Sequence, residues 1–144
     1  MKTALLSFAT LVAAFFWLVP PSQLAALASP GIAQARITTS SIERAQFTSA
    51  IKDREPADSL TQAGADKTQL YFFTELKGGS GTSVTHRWEH DGKVEHEQTF
   101  QVTADRWRGW TSKSMSARSA GEWKVSLVDG SGATIGAYTL VYGK

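Results

Sequence analysis

A chain of 144 residues suffices for one domain with a sizeable core. Lys and Arg total 15 against 13 Asp and Glu, a formal net charge of +2, which is too small an excess to recruit nucleic acid or an anionic membrane surface. The absence of cysteine excludes a disulfide framework, thiol catalysis, cysteine–zinc sites and a lipid-modified cysteine anchor.

The N-terminus carries the marks of a secretory signal helix. Lys2 supplies the positive end, Ala4 to Val19 is uncharged and apolar, and Pro20-Pro21 ends any helix. Two small-x-small sites follow, Ala26-Leu27-Ala28 and Ala33-Gln34-Ala35. The reading adopted is a signal peptide over residues 1–28, with cleavage after residue 35 as the alternative, a flexible linker over 29–41 and a folded domain over 42–144. This places the mature chain in the periplasm or outside the cell. If uncleaved, residues 4–19 would tether it to the inner membrane.

Beyond the linker, apolar residues recur with period two, the pattern of half-buried strands. Ala45, Phe47, Ser49 and Ile51 share one face, and Arg44, Gln46 and Thr48 the other. Asp53 to Lys67 is polar and broken by Pro56 and Gly64, which predicts a long loop. Gln69 to Leu76 is apolar on both faces and predicts a central strand. Residues 82–90 and 93–102 flank Asp91-Gly92, a hairpin signal. Asp105 to Lys113 is a further strand, residues 113–121 a polar loop, and 122–128 with 133–142 a second hairpin around Asp129-Gly130-Ser131-Gly132. The expectation is an all-β domain: an antiparallel immunoglobulin-like β-sandwich of about seven strands.

The segment VTHRWEHDGKVEHEQTF, residues 84–100, contains all three histidines. A two-residue loop at Asp91-Gly92 would set Val84, His86 and Trp88 opposite Thr99, Glu97 and Glu95. A three-residue loop, His90-Asp91-Gly92, would set Trp88 opposite Val94, His86 opposite His96, Glu89 opposite Lys93 and Arg87 opposite Glu95. Only the second pairs opposite charges and gathers apolar groups, at about 0.2–1 kcal/mol per pair, so the second register is expected. It makes His86 and His96 neighbours. They form either a neutral hydrogen-bonded pair in the core, whose depressed pKa would let acid loosen the hairpin, or two ligands of a zinc or copper ion.

The strand Asp105 to Trp110 alternates so that Trp107 and Gly109 share one face and Arg106, Arg108 and Trp110 the other. With Trp107 inward, the opposite face is a donor-rich surface with an aromatic, suited to a glycan, an acidic peptide or a partner protein. Glu95 and Glu97 point outward, as a solvated strand face requires. Neither Ser80 nor Ser131 lies in a nucleophile elbow, and no dinucleotide or phosphate-loop motif is present, so no cofactor is implied. Trp123, Val125 and Leu127 form an apolar stripe that belongs in the core.

Five blocks in order resemble a known family: Ile51-Lys-Asp-Arg-Glu-Pro56, Tyr71-Phe-Phe-Thr-Glu-Leu76, Val84-Thr-His-Arg-Trp-Glu89, Arg106-Trp-Arg108 with Ser112-Lys113, and Gly121-Glu-Trp-Lys-Val125 leading to Asp129 and Gly132. The set is similar to the bacterial domain of unknown function family 2914 over roughly residues 42–136. Gly109 and Thr111 depart from the aliphatic residue and serine usual in that family. The resemblance implies a domain boundary and no catalytic residue. The functional expectation is a non-catalytic cell-envelope binding or protein-interaction module, with Arg106, Arg108 and Trp110 as its contact surface. The alternative is a metal-binding protein or hydrolase using His86 and His96, with Asp53 or Glu55 from the long loop. A scaffold that only assists assembly of an envelope complex is a third reading.

Overall fold

The computed structural model describes residues 40–144. The signal reading over 1–28, the alternative cut after 35 and all but the end of the linker lie outside them. The described chain is all-β. In chain order the strands are β1 (Ser41–Thr48), β2 (Ile51–Lys52), β3 (Glu55–Pro56), β4 (Gln62–Ala63), β5 (Gln69–Lys77), β6 (Ser83–His90), β7 (Lys93–Gln101), β8 (Arg106–Ser114), β9 (Gly121–Asp129) and β10 (Thr134–Tyr142). Seven of them are long and match the strands expected from periodicity.

Three strands, in the order β1-β5-β8, form one sheet, and five, β4-β10-β9-β6-β7, form the other. All pairs are antiparallel except β4 with β10. Alternation decides what each sheet buries. Phe47, Leu70, Phe72 and Leu76 come from the first sheet, and Val84, Trp88, Trp123, Val125, Leu127, Leu140 and Tyr142 from the second; all are buried in one core cluster. The aromatics meet edge-on across the sheets: Phe47 on Trp88 at 5.7 Å and Phe72 on His86 at 5.4 Å, the favourable quadrupole arrangement. Trp123 and its stripe are core, as expected.

The stretch 53–67 differs from the expected loop. It contains β3 and β4, and β2 pairs with β3 around Asp53-Arg54, both in the left-handed region with φ of 50° and 63°. Such two-residue pairings leave no hydrophobic period for the sequence to display.

The hairpin register is also corrected. The turn is the two-residue Asp91-Gly92, both left-handed with φ of 47° and 82°, the geometry of a hairpin turn whose twist matches its strands. His90 faces Lys93 and Glu89 faces Val94. A bulge at Glu95 then shifts the ladder, so that Trp88 faces His96, His86 faces Gln98 and Val84 faces Phe100. The extra residue returns the even positions of β7 to the inner side, which an uninterrupted ladder could not do with this turn. Arg87 therefore pairs with Glu97, not Glu95, and Glu89 pairs with Lys124 of β9 at 2.8 Å. Val94 is 48% exposed instead of joining the core.

Trp107 lies across Gly109. A Cβ built at residue 109 would sit 2.1 Å from the indole, so glycine at this position makes room for Trp107, which packs on Phe100 at 5.4 Å. Gly109→Ala is expected to destabilise the fold by about 1–3 kcal/mol through overpacking, read as a lower urea midpoint. An unchanged midpoint would show that Trp107 moves aside freely.

Candidate functional site

The outer face of the three-stranded sheet carries a cluster the sequence reading did not assemble. Along β5, Leu70, Phe72, Thr74 and Leu76 point into the core, so Phe73 and Glu75 point the other way. Both are nonetheless buried, Glu75 at 1% exposure. In the ladder Arg44 of β1 and Arg108 of β8 flank Glu75 directly. Arg44 donates from Nε to Glu75 Oε2 at 2.6 Å, and Arg106 donates from Nε to Oε1. Arg108 Nε lies 3.3 Å from Oε1 without a hydrogen bond of good geometry and is buried without a partner.

The β2–β3 turn brings a second carboxylate to the cluster: Glu55 bonds Arg44 at 2.8 Å and Arg108 at 2.7 Å. The Arg44 guanidinium also lies 5.2 Å from the centre of the Phe73 ring. Burial alone would raise the pKa of Glu75. The hydrogen bonds from Arg106 and Arg44 outweigh it and hold the carboxyl at about 2. Reciprocally, the bonds to Glu55 and Glu75 raise the pKa of Arg44. Three guanidiniums thus meet two carboxylates. Beside them Glu43, Arg44, Glu75, Lys77, Asp105 and Arg106 line an open depression of about 510 Å³.

Arg106, Arg108 and Trp110 do share the outer face of β8, with Trp107 and Gly109 inward. Arg106 is largely exposed, its side chain at 67%, whereas Arg108 is mostly covered and Trp110 half-buried opposite Phe73 in the ladder. The two arginines lean over β5 towards Glu75. The overlooked partners were Glu75, Glu55 and Arg44. Their signal was present: a glutamate inside the apolar run Leu70–Leu76 must be paired if both faces of that strand are covered.

His86 and His96 lie on the same side of their hairpin but are not opposite each other. His86 is wholly buried. Its Nδ1 is 3.0 Å from Thr111 Oγ1 on β8, the hydroxyl that also accepts from Trp88 Nε1 at 2.8 Å. His86 Nε2 has no partner, and burial depresses the pKa to about 3. The depression arises from desolvation, not from a second imidazole. His96 is exposed on β7, opposite Trp88. His90, at the turn, stacks on Trp123 at 4.5 Å and hydrogen-bonds Ala120 O at 3.0 Å. Among the described residues no group of three or more His, Asp and Glu side chains is placed to hold a metal ion. Asp53 is exposed in the β2–β3 turn, and Glu55 is committed to its two arginines.

The family described as protein of unknown function (DUF2914) matches residues 81–139. Over that segment the chain is similar to the DUF2914 family. No curated protein matches the chain. The DUF2914 segment runs from the start of β6 into β10. It includes Arg106, Arg108, Trp110 and the histidines, while Arg44, Glu55 and Glu75 precede it. Three of the five sequence blocks, those from Val84 onward, fall within it.

Proposed function

We propose that the chain is a non-catalytic binding module of the bacterial cell envelope, exported through its N-terminal segment, with an immunoglobulin-like sandwich as scaffold. Its contact surface is the outer face of β8, centred on Arg106 with Trp110 and the edge of the Arg108 guanidinium. The observation that carries this reading is the openness of Arg106, whose side chain is 67% exposed although it pairs with the buried Glu75. A planar, weakly hydrated guanidinium on a strand face that also carries an indole suits a carboxylate-bearing partner. The buried, separated histidine gives the metal or hydrolase reading no comparable support.

The test uses Arg106→Gln with Trp110→Ser, which leaves Arg44 and Arg108 to hold Glu75. Crosslinking of the full chain in envelope preparations, followed by mass spectrometry, is expected to lose its acidic-surface partners in the variant while the fold persists at a lowered melting temperature, since Arg44 and Arg108 still neutralise the buried Glu75. A folded variant that retains every crosslinked partner would remove this surface from consideration.

A further inference from the structure

The sandwich has one sheet edge that is ready to pair. Two sheets present four edges: β1 and β8 in one, β4 and β7 in the other. An unpaired edge is an open row of amide and carbonyl groups, and folded proteins blunt such rows with bulges, charges, short strands or covering loops. β1 has a bulge at Glu43, and its far end is bridged by Leu60 through Phe47. β4 has only two residues. β7 has its bulge at Glu95 and carries Lys93, Glu95 and Glu97.

β8 has neither a bulge nor a short span, and its charges are Arg106, Arg108 and Lys113. Its nine residues run in unbroken register along β5, from Arg106 opposite Lys77 to Ser114 opposite Gln69. Among the described residues no strand pairs with its other side. Both arginines bend back towards Glu75, and Lys113 lies 5.8 Å from the centre of the Trp123 ring.

The space beside β8 is floored. β8 lies over β6, since Thr111 bonds both His86 and Trp88, so β7 extends past it as a shelf. The inner side of that shelf is uncovered: His96 and Gln98 are exposed and Phe100 half-covered, as is Trp107 of β8, which packs on it. Three strands over five leave room for a fourth.

The geometry points to strand addition: an extended segment of a partner protein pairs with the free edge of β8, above the inner side of β7. This rests on the reading of β8 as the contact surface and specifies its occupant. Alternation fixes the chemistry. Residues of the added strand that face outward fall beside Arg106, the most exposed guanidinium of the cluster, so acidic residues complement it. Residues that face inward fall over Phe100, Trp107 and Gln98, so they are apolar or small. The partner is an acidic, alternating extended segment.

Amide exchange on the full chain tests this with two nine-residue peptides matched to β8. One alternates glutamate with valine and threonine, and the other has lysine in place of glutamate. The glutamate peptide is expected to slow exchange at alternate amides of residues 106–114 by about tenfold or more, with no effect at β1 or β7, and Arg106→Gln to weaken it several-fold. The lysine peptide is expected to do nothing.

Equal protection by both peptides, protection at β7 instead, or none at β8 would overturn strand addition. So would β8 amides already protected in the full chain alone, whether by a second copy, seen as a doubled mass in sedimentation, or by the chain itself. If Arg106-dependent crosslinks persist while β8 amides stay unprotected, the contact surface stands and only the strand mode fails. If neither is seen, both readings fail.

Discussion

Replacing Arg44 and Arg106 together by methionine is expected to destabilise the protein by about 3–5 kcal/mol, the usual cost of stripping a buried charge of its partners. Methionine keeps much of the covering apolar stem, so the loss isolates the charge. Glu75 would then retain only Arg108, 3.3 Å away and poorly aligned. Its carboxylate could not stay at about 2 without the hydrogen bonds from Arg106 and Arg44, and it would become neutral more readily. Adding Glu75→Leu to the pair should restore most of the lost stability, because a buried ion cluster exchanged for apolar groups is often neutral. Urea titration of the wild type, the double and the triple variant makes a thermodynamic cycle. A double variant within about 1 kcal/mol of wild type, or a triple variant no better than the double, would show that water already reaches Glu75.

Mild acid is the second large effect. His86 stays neutral in the folded protein down to about 3, whereas an unfolded imidazole takes up its proton near 6.5. Below 6.5 the unfolded chain therefore binds more protons, and lowering the pH favours unfolding. The stabilisation is complete above 6.5 and is lost progressively as pH falls towards the folded value. At pH 5 the 1.5-unit gap below the reference pKa amounts to about 2 kcal/mol. Glu75 acts in the same direction but lower: its contribution is present above 4.5 and disappears as pH falls through about 2. The two windows can be separated. His86→Phe, in a pocket already walled by Phe72 and Phe100, should flatten the stability profile between pH 7 and 5 while leaving the steeper loss below 4.5. Parallel profiles for wild type and variant between pH 7 and 5 would show that His86 is not the group responsible.

The long strands were legible because each has a period the chain cannot hide. Phe47, Trp107, Trp123, Val125 and Leu127 announce their faces by alternation alone. The hairpin register was not legible, because Asp91-Gly92 fixes one offset and the bulge at Glu95 restores another; cross-strand charge matching cannot reveal an inserted residue. The outward face of Arg106, Arg108 and Trp110 was readable, but its electrostatic state was not. Glu75 and Glu55 reach it from 31 and 53 positions earlier in the chain, a proximity created by strand order. The unusual pair Gly109 and Thr111 finds a local reason: one clears the Trp107 ring and the other offers a hydroxyl to both His86 and Trp88. Thr111 could not have been predicted from its own strand, since both partners belong to the opposite sheet.

Strand order also bears on how the molecule comes to be. The three-stranded sheet draws on residues 41–48, 69–77 and 106–114, and the other sheet on 62–63, 83–101 and 121–142. The two sets interleave, so the three-stranded sheet is complete only at residue 114 and the other only at residue 142. Folding must close long loops before it gains most of its contacts, which places it in the millisecond-to-second regime of β-sandwiches. A nascent chain lacking β10 would present β9 as a bare edge rich in Trp123, Val125 and Leu127, so the arrival of β10 also protects the chain from self-association during synthesis.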